Sequence, residues 1–340
     1  MSSISKNNCI KVSSLLFFLL FLQSVNAQYN FSELDKKLEA SKGDLSKDMA
    51  ALIYKDGKII YKKEFGQDFK ANSQEPIADC SKWLTAAVVM TFVDQGKLSL
   101  DDKVGTYLPI FNTYGKKYIT IRQCLSHMTG IQSEQGVMKL MQKNKFATLE
   151  EEVNDFASKR EIQSNPGLEF RYTNIGLDIA AHVCEVVGKR SIDQLLNDRI
   201  LRPLAMRNTS FFSERAISPS GGATSAAIDY MNFLSMLLNN GVFNGKRILS
   251  EKAVAEMNTI QIKPEQIKYA PKSVTGYTYG LGEWIIDSTG PVVCNPSFIG
   301  TYSLIDYNKK YAFVLVTKSS GEAKKEVYMG LKNVIDGIIQ

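Results

Sequence analysis

The chain is poor in the residues that metal and thiol chemistry require. It has two histidines, His127 and His182, and five cysteines among 340 residues. No Cys-x-x-Cys pair occurs, and no His or Cys spacing suits a metal, so neither a metal site nor a cofactor is expected. Charge of one sign is not concentrated either. The 41 Lys and Arg against 35 Asp and Glu give a formal charge of +6, but the charges are scattered, without the basic stripe of a nucleic-acid-binding surface. Internal repeats and low-complexity linkers are missing as well. Long apolar runs are absent beyond the first residues, where Lys6 and Lys11 precede the run Leu15 to Leu22 and Val25-Asn26-Ala27 follows it. That order reads as a secretory leader in residues 1–27, cut before Gln28. Its roughly eight-residue apolar core is too short for a bilayer, which takes about 20. The expectation is therefore a periplasmic or secreted protein with no integral membrane segment in the mature chain. Cys9 precedes the apolar run and is not placed as a lipoprotein cysteine. Cys80, Cys124, Cys184 and Cys294 have apolar neighbours, which reads as buried free thiols; a disulfide stays open in an exported chain.

What is present alternates between strand and helix signals. Residues 48–54 and 59–65 flank Lys55-Asp56-Gly57-Lys58, and Asp-Gly supplies the positive φ that a tight hairpin turn needs. A second hairpin is expected from residues 301–306 and 311–317 around 307–310, with a closing helix over 322–339. Helices are expected over 79–95, 120–126, 174–187 and 226–239, stopped by Gly96, the turn after Ser126, Gly188 and Gly241. Strand pairs at both ends with helices between them imply one antiparallel sheet assembled from both termini. Residues 28–340 then form a single domain, with a sheet lobe (28–78 and about 276–340) and a helical lobe (about 79–275).

The most informative stretch is Pro76-Ile77-Ala78-Asp79-Cys80-Ser81-Lys82-Trp83-Leu84, followed by Gly96-Lys97-Leu98-Ser99-Leu100-Asp101-Asp102 and Tyr107-Leu108-Pro109. It resembles the first motif of the serine β-lactamase and penicillin-binding-protein superfamily, in its class C and esterase-like branch. In that superfamily the motif is Ser-x-x-Lys, an acylated serine and the lysine that helps deprotonate it. Lys82 keeps its place, and Asp79 stands where the serine would be. The only Ser-x-x-Lys of the chain, Ser3 to Lys6, lies in the leader. Further matching phrases, in order, are Ile119-Thr120-Ile121-Arg122-Gln123, Asn165-Pro166-Gly167, Tyr172-Thr173-Asn174, Gly221-Gly222-Ala223-Thr224 and Tyr279-Gly280-Leu281-Gly282. The resemblance implies an α/β (α+β) β-lactamase-like fold with flanking helices. It also implies a proton-relaying Tyr172 and a substrate-contacting Asn174. At the third motif, where Lys-Thr-Gly or His-x-Gly is usual, Asn295-Pro296-Ser297 stands, so the basic residue has become Asn295 and the glycine Ser297.

Two readings of Asp79 stay open. It can be a helix N-cap paired with Lys82 one turn on, or it can carry chemistry. A carboxylate attacking a carbonyl gives an anhydride, whereas attack on the anomeric carbon of a sugar gives an ester that water opens. The favoured expectation is thus a hydrolase or transferase cleaving a glycosidic bond in an oligosaccharide or other small-molecule substrate. Asp79, Lys82 and Tyr172 would be its catalytic residues and Asn174, Asn295 and Ser297 its substrate contacts. The alternatives are a non-catalytic binding or regulatory protein and a family esterase or peptidase with Asp79 as general base or inactivating replacement. Glu169, Asp178, Asp229 and Glu283 are candidates for a second carboxylate. Trp83, Trp284, Tyr277 and Tyr302 are candidates for a sugar-stacking cleft, though such aromatics more often form core. His127 and His182 read as structural.

Overall fold

Asp56 and Gly57 both adopt positive φ, 50° and 80°, and join strands β1 (Met49–Lys55) and β2 (Lys58–Phe65). Mirror-image turns of this kind match the twist of the strands they connect, and Gly bears the left-handed conformation without strain. The computed structural model describes residues 29–133, 145–287, 290–318, 321 and 324–339. The leader assigned to residues 1–27 lies outside them.

Five further strands complete a seven-stranded sheet: β3 (Thr278–Tyr279), β4 (Trp284–Asp287), β5 (Val292–Pro296), β6 (Tyr302–Asp306) and β7 (Tyr311–Thr317). Their order is β2-β1-β7-β6-β5-β4-β3, and every neighbouring pair is antiparallel. The first strand and the last pair directly, second and third from one edge, from Met49 opposite Thr317 to Lys55 opposite Tyr311. Both strands are buried on both faces, so side chains alternate between two apolar layers. Ala50, Leu52, Ala312, Val314 and Val316 face one layer. Met49, Ala51, Ile53, Phe313 and Leu315 face the other.

Six helices of nine residues or more are described: α1 (Ser32–Ala40), α2 (Ser81–Asp94), α3 (Leu149–Lys159), α4 (Ile175–Gly188), α5 (Ala227–Leu238) and α6 (Lys325–Ile338). The second layer is closed by α1 and α6, which pack on each other. On the opposite face α5 lies against β1, β6 and β7, while α2 packs on α4. Every residue of α2 from Ser81 to Phe92 is buried. A helix apolar on all sides belongs inside a protein, which is why this segment shows no amphipathic stripe.

Three expected boundaries are corrected. The helix expected from Asp79 begins at Ser81, because Ala78–Cys80 forms a separate 3₁₀ turn in which Ala78 has φ +41°. Asp79 makes no capping bond there; the residue preceding α2 is Cys80, and it too caps nothing with its side chain. The helix expected to stop at Gly188 includes it and ends on Lys189, left-handed at φ 52°. The expected helix over 120–126 is the short Ile121–Leu125, fixed by a reciprocal capping box in which Thr120 and Gln123 satisfy each other's backbone amides. Cys80, Cys124, Cys184 and Cys294 are buried free thiols, as their neighbours suggested.

Candidate functional site

The first turn of α2 carries Lys82 inward until 1% of it is exposed. A buried ammonium is tolerated only when each N–H has a partner, and Lys82 Nζ has three. It donates to Asp79 Oδ1 at 2.8 Å, to Asn174 Oδ1 at 3.0 Å and to the Ser220 carbonyl at 3.1 Å. Its fourth neighbour is the face of Tyr172, 4.8 Å from the ring centroid. The i, i+3 spacing that placed Asp79 and Lys82 on one side of a helical turn therefore yields a buried ion pair. The second oxygen of the carboxylate, Oδ2, accepts the Phe298 backbone N–H at 3.3 Å. Phe298 belongs to the turn between β5 and β6, so one carboxylate links α2 to the sheet.

Asn174 directly precedes α4, but its side chain caps nothing there; its oxygen serves Lys82 instead. Tyr172 is 8% exposed, and its hydroxyl has no hydrogen-bond partner. Burial first, then the Asp79 charge, holds that phenol far above its ordinary range. Behind the ring sits His127, at φ 56°, 4.6 Å between centroids. The Thr173 amide donates to His127 Nδ1 at 3.4 Å, leaving the proton on Nε2, which faces the Tyr279 hydroxyl at 3.0 Å. Burial, reinforced by Lys82, pushes this imidazole well below its usual value. His127 is thus a neutral structural support, and His182, also buried, pairs with Glu185 at 2.8 Å within its own helix.

The six residues singled out in the sequence split into two groups. Asp79, Lys82, Tyr172 and Asn174 converge on one point. Asn295 and Ser297 lie beside it on β5 and the following turn, but their side chains serve the protein's own backbone. Asn295 Nδ2 donates to the Gly282 carbonyl at 2.9 Å with the residue wholly buried, and Ser297 Oγ accepts from the Ile299 amide at 3.3 Å. Two contributors escaped sequence reasoning, the Ser220 carbonyl and the Phe298 amide, since backbone groups leave no residue-type signature. Only the Gly221-Gly222 pair after Ser220 hinted that this loop approaches another chain segment.

None of the four candidate acids shares a hydrogen bond with Asp79, Lys82 or Tyr172. Glu169 pairs with Arg171; Asp229 accepts from the Asn208 amide and Thr209 Oγ1. Glu283 is buried with both carboxyl oxygens unpartnered. Asp178 comes nearest in connectivity: its Oδ1 accepts the N–H of Ser220 at 3.2 Å, the residue whose own carbonyl serves Lys82. The stacking-cleft expectation is corrected. Trp83, Trp284 and Tyr302 are buried to 1% exposure or less and Tyr277 is nearly so, all packed in the two apolar layers. Among the described residues no cluster of three metal-ligating side chains occurs, and no helix is long and apolar enough to cross a membrane.

Comparison with known proteins adds a lineage to this geometry. A family model described as Beta-lactamase matches residues 44–333. The chain is 31% identical to Protein flp of Staphylococcus aureus (strain MW2) over 173 residues, which are 47% of this chain and 34% of flp. It therefore spans about a third of that relative. Over 327 residues it is 23% identical to the D-alanyl-D-alanine-carboxypeptidase/endopeptidase AmpH of Escherichia coli (strain K12), covering 84% and 83% of the two chains. The crystal structure of a β-lactamase candidate from Bacteroides dorei DSM 17855 superposes with a TM-score of 0.80 at 26% identity, covering 92% of this chain and 99% of the other.

Proposed function

Because this chain belongs to the β-lactamase family of hydrolases, we propose that it is a member that has given up the acyl-serine cycle and keeps the site to bind a ligand. One observation carries this reading: the group in the nucleophile's place is a carboxylate with both oxygens already held, by Lys82 and by the Phe298 amide. Lys82 in turn has all three N–H groups committed to the protein's own oxygens. A carboxylate is a poor nucleophile toward an ester or amide carbonyl, and one bound on both oxygens is poorer still.

The glycosidase reading has one observation in its favour, the unpartnered Tyr172 hydroxyl, which is free to face a leaving group. Against it stand the buried phenol's hold on its proton and the lack, among the described residues, of a second carboxylate bonded into the site; retaining glycosidases use two, about 5–5.5 Å apart. Export to the periplasm or beyond remains part of the proposal, on the strength of the leader-like first residues.

Incubation with a fluorescent penicillin followed by intact-protein mass spectrometry tests the central claim, and the expected spectrum contains unmodified protein alone. A screen of esters, D-amino-acid peptides, a β-lactam and glycosides is expected to give no turnover. A stoichiometric adduct, or turnover that Asp79→Asn abolishes, would overturn the proposal.

A further inference from the structure

The ion pair also decides the charge of what this site accepts. Two donors at its centre could hold a negative group: the Lys82 ammonium and the Phe298 backbone N–H in a half-buried turn. Both already hold the chain's own anion, Asp79, at 2.8 and 3.3 Å. The remaining N–H groups of Lys82 go to neutral oxygens of Asn174 and Ser220. Asn295, at the position where the resemblance led one to expect a cation, turns its amide to the Gly282 carbonyl. His127, next in line behind Tyr172, is uncharged and bonded to Tyr279. Around this point the Tyr172 hydroxyl, the Ser220 Oγ and the Asn295 Oδ1, all buried, make no hydrogen bond of ordinary geometry, with Trp284 and Asp178 nearest the two hydroxyls. Such hydroxyls both donate and accept, which suits the hydroxyls and amides of a neutral ligand.

We propose that this site selects an uncharged ligand bearing hydroxyl or amide groups and rejects carboxylates, with the Asp79 carboxylate serving as the permanent occupant of the anion-holding donors. An external carboxylate would have to displace that group or sit against it, and like charges a few ångströms apart repel strongly away from bulk water. The proposal rests on the reading that Asp79 is not consumed in an acylation cycle.

The probes are N-acetyl-D-alanyl-D-alanine and its C-terminal amide, which differ in one negative charge, titrated calorimetrically into the intact protein and into Asp79→Asn. The unmodified protein is expected to bind the amide at least ten-fold more tightly than the acid, and failure to bind the amide overturns the proposal. Asp79→Asn removes the negative charge and leaves one oxygen for the two donors, Lys82 and the Phe298 amide, so the acid is expected to gain ten-fold or more while the amide changes less than three-fold. Tighter binding of the acid by the unmodified protein overturns the proposal, and so does an Asp79→Asn protein that gains nothing for the acid. Circular dichroism checks that the variant folds, and Asp79→Ala carries the same comparison if it does not. Failure of the non-acylating reading would show separately, as a mass shift, without altering these affinity ratios.

Discussion

Asp79 and Lys82 are ordinary as a pair and unusual in their setting. Exposed pairs at this spacing contribute a few tenths of a kcal/mol, but this one is buried, and removing one partner of a buried pair strands the other. Lys82→Met or Asp79→Val is expected to destabilise the protein by about 3–5 kcal/mol, while the double variant recovers most of that loss. Urea unfolding of the three proteins checks it; single variants within 1 kcal/mol of the parent would show the pair to be solvated. Glu283 offers a pH test. Burial raises its carboxyl far above the ordinary value of 4.5. The folded state therefore keeps a proton that the unfolded chain releases above about pH 4.5, so this residue's contribution to stability falls as pH rises from there toward the raised folded value. Glu283→Gln cannot titrate. The stability difference between variant and parent should shift toward the variant by up to about 1.4 kcal/mol per pH unit within that window. Parallel stability curves at pH 5 and pH 7.5 would show that Glu283 does not titrate differently in the folded state.

At the scale of elements, the site depends on how closely the segment Gly280–Gly282 approaches α2. Gly282 has φ +97°, and a Cβ there would lie 2.6 Å from the Ala86 Cβ on the next turn of α2. Its carbonyl also receives the Asn295 amide. Gly282→Ala combines backbone strain with overpacking and is expected to destabilise by about 1–3 kcal/mol or more, measured as a lowered urea midpoint; an unchanged midpoint would contradict the close packing. This contact was invisible in the sequence except as a Gly within a family-like phrase. By contrast the hairpins and helix cores were legible, because Asp56-Gly57 carries its own turn chemistry and the apolar runs around Val314 and Val88 have nowhere to go but inward. The convergence of Asp79, Lys82, Tyr172 and Asn174 was legible through the family resemblance. The inward turn of Asn295 was not, since nothing in an Asn-Pro-Ser triplet says whether its amide meets ligand or backbone. Ala78 explains the misplaced helix start: its left-handed backbone is a choice of the packed structure that no local preference of alanine announces.

For the whole molecule, the pairing of β1 with β7 is the decisive connection. A chain lacking residues 311–340 loses β7, the strand between β1 and β6, which separates β1 and β2 from the rest of the sheet and uncovers the layer that α6 closes. Such a chain is expected to show no cooperative thermal transition and no near-ultraviolet dichroism, where the full chain shows both; a sharp transition in the truncated chain would mean that the helical part carries its own stability.

The same pairing sets a timetable. The partner of residues 49–55 is 311–317, so during synthesis the first hairpin leaves the ribosome long before the strand that completes it. Until then β1 presents a row of unpaired backbone groups on an apolar ribbon, a natural substrate for chaperones and a hazard for pairing with neighbouring nascent chains. The cradle of Lys82 is equally late. Its carboxylate is emitted early, yet the Phe298 amide that fixes the second oxygen arrives only near the end, so the cradle comes into being as one of the last events in the making of the protein.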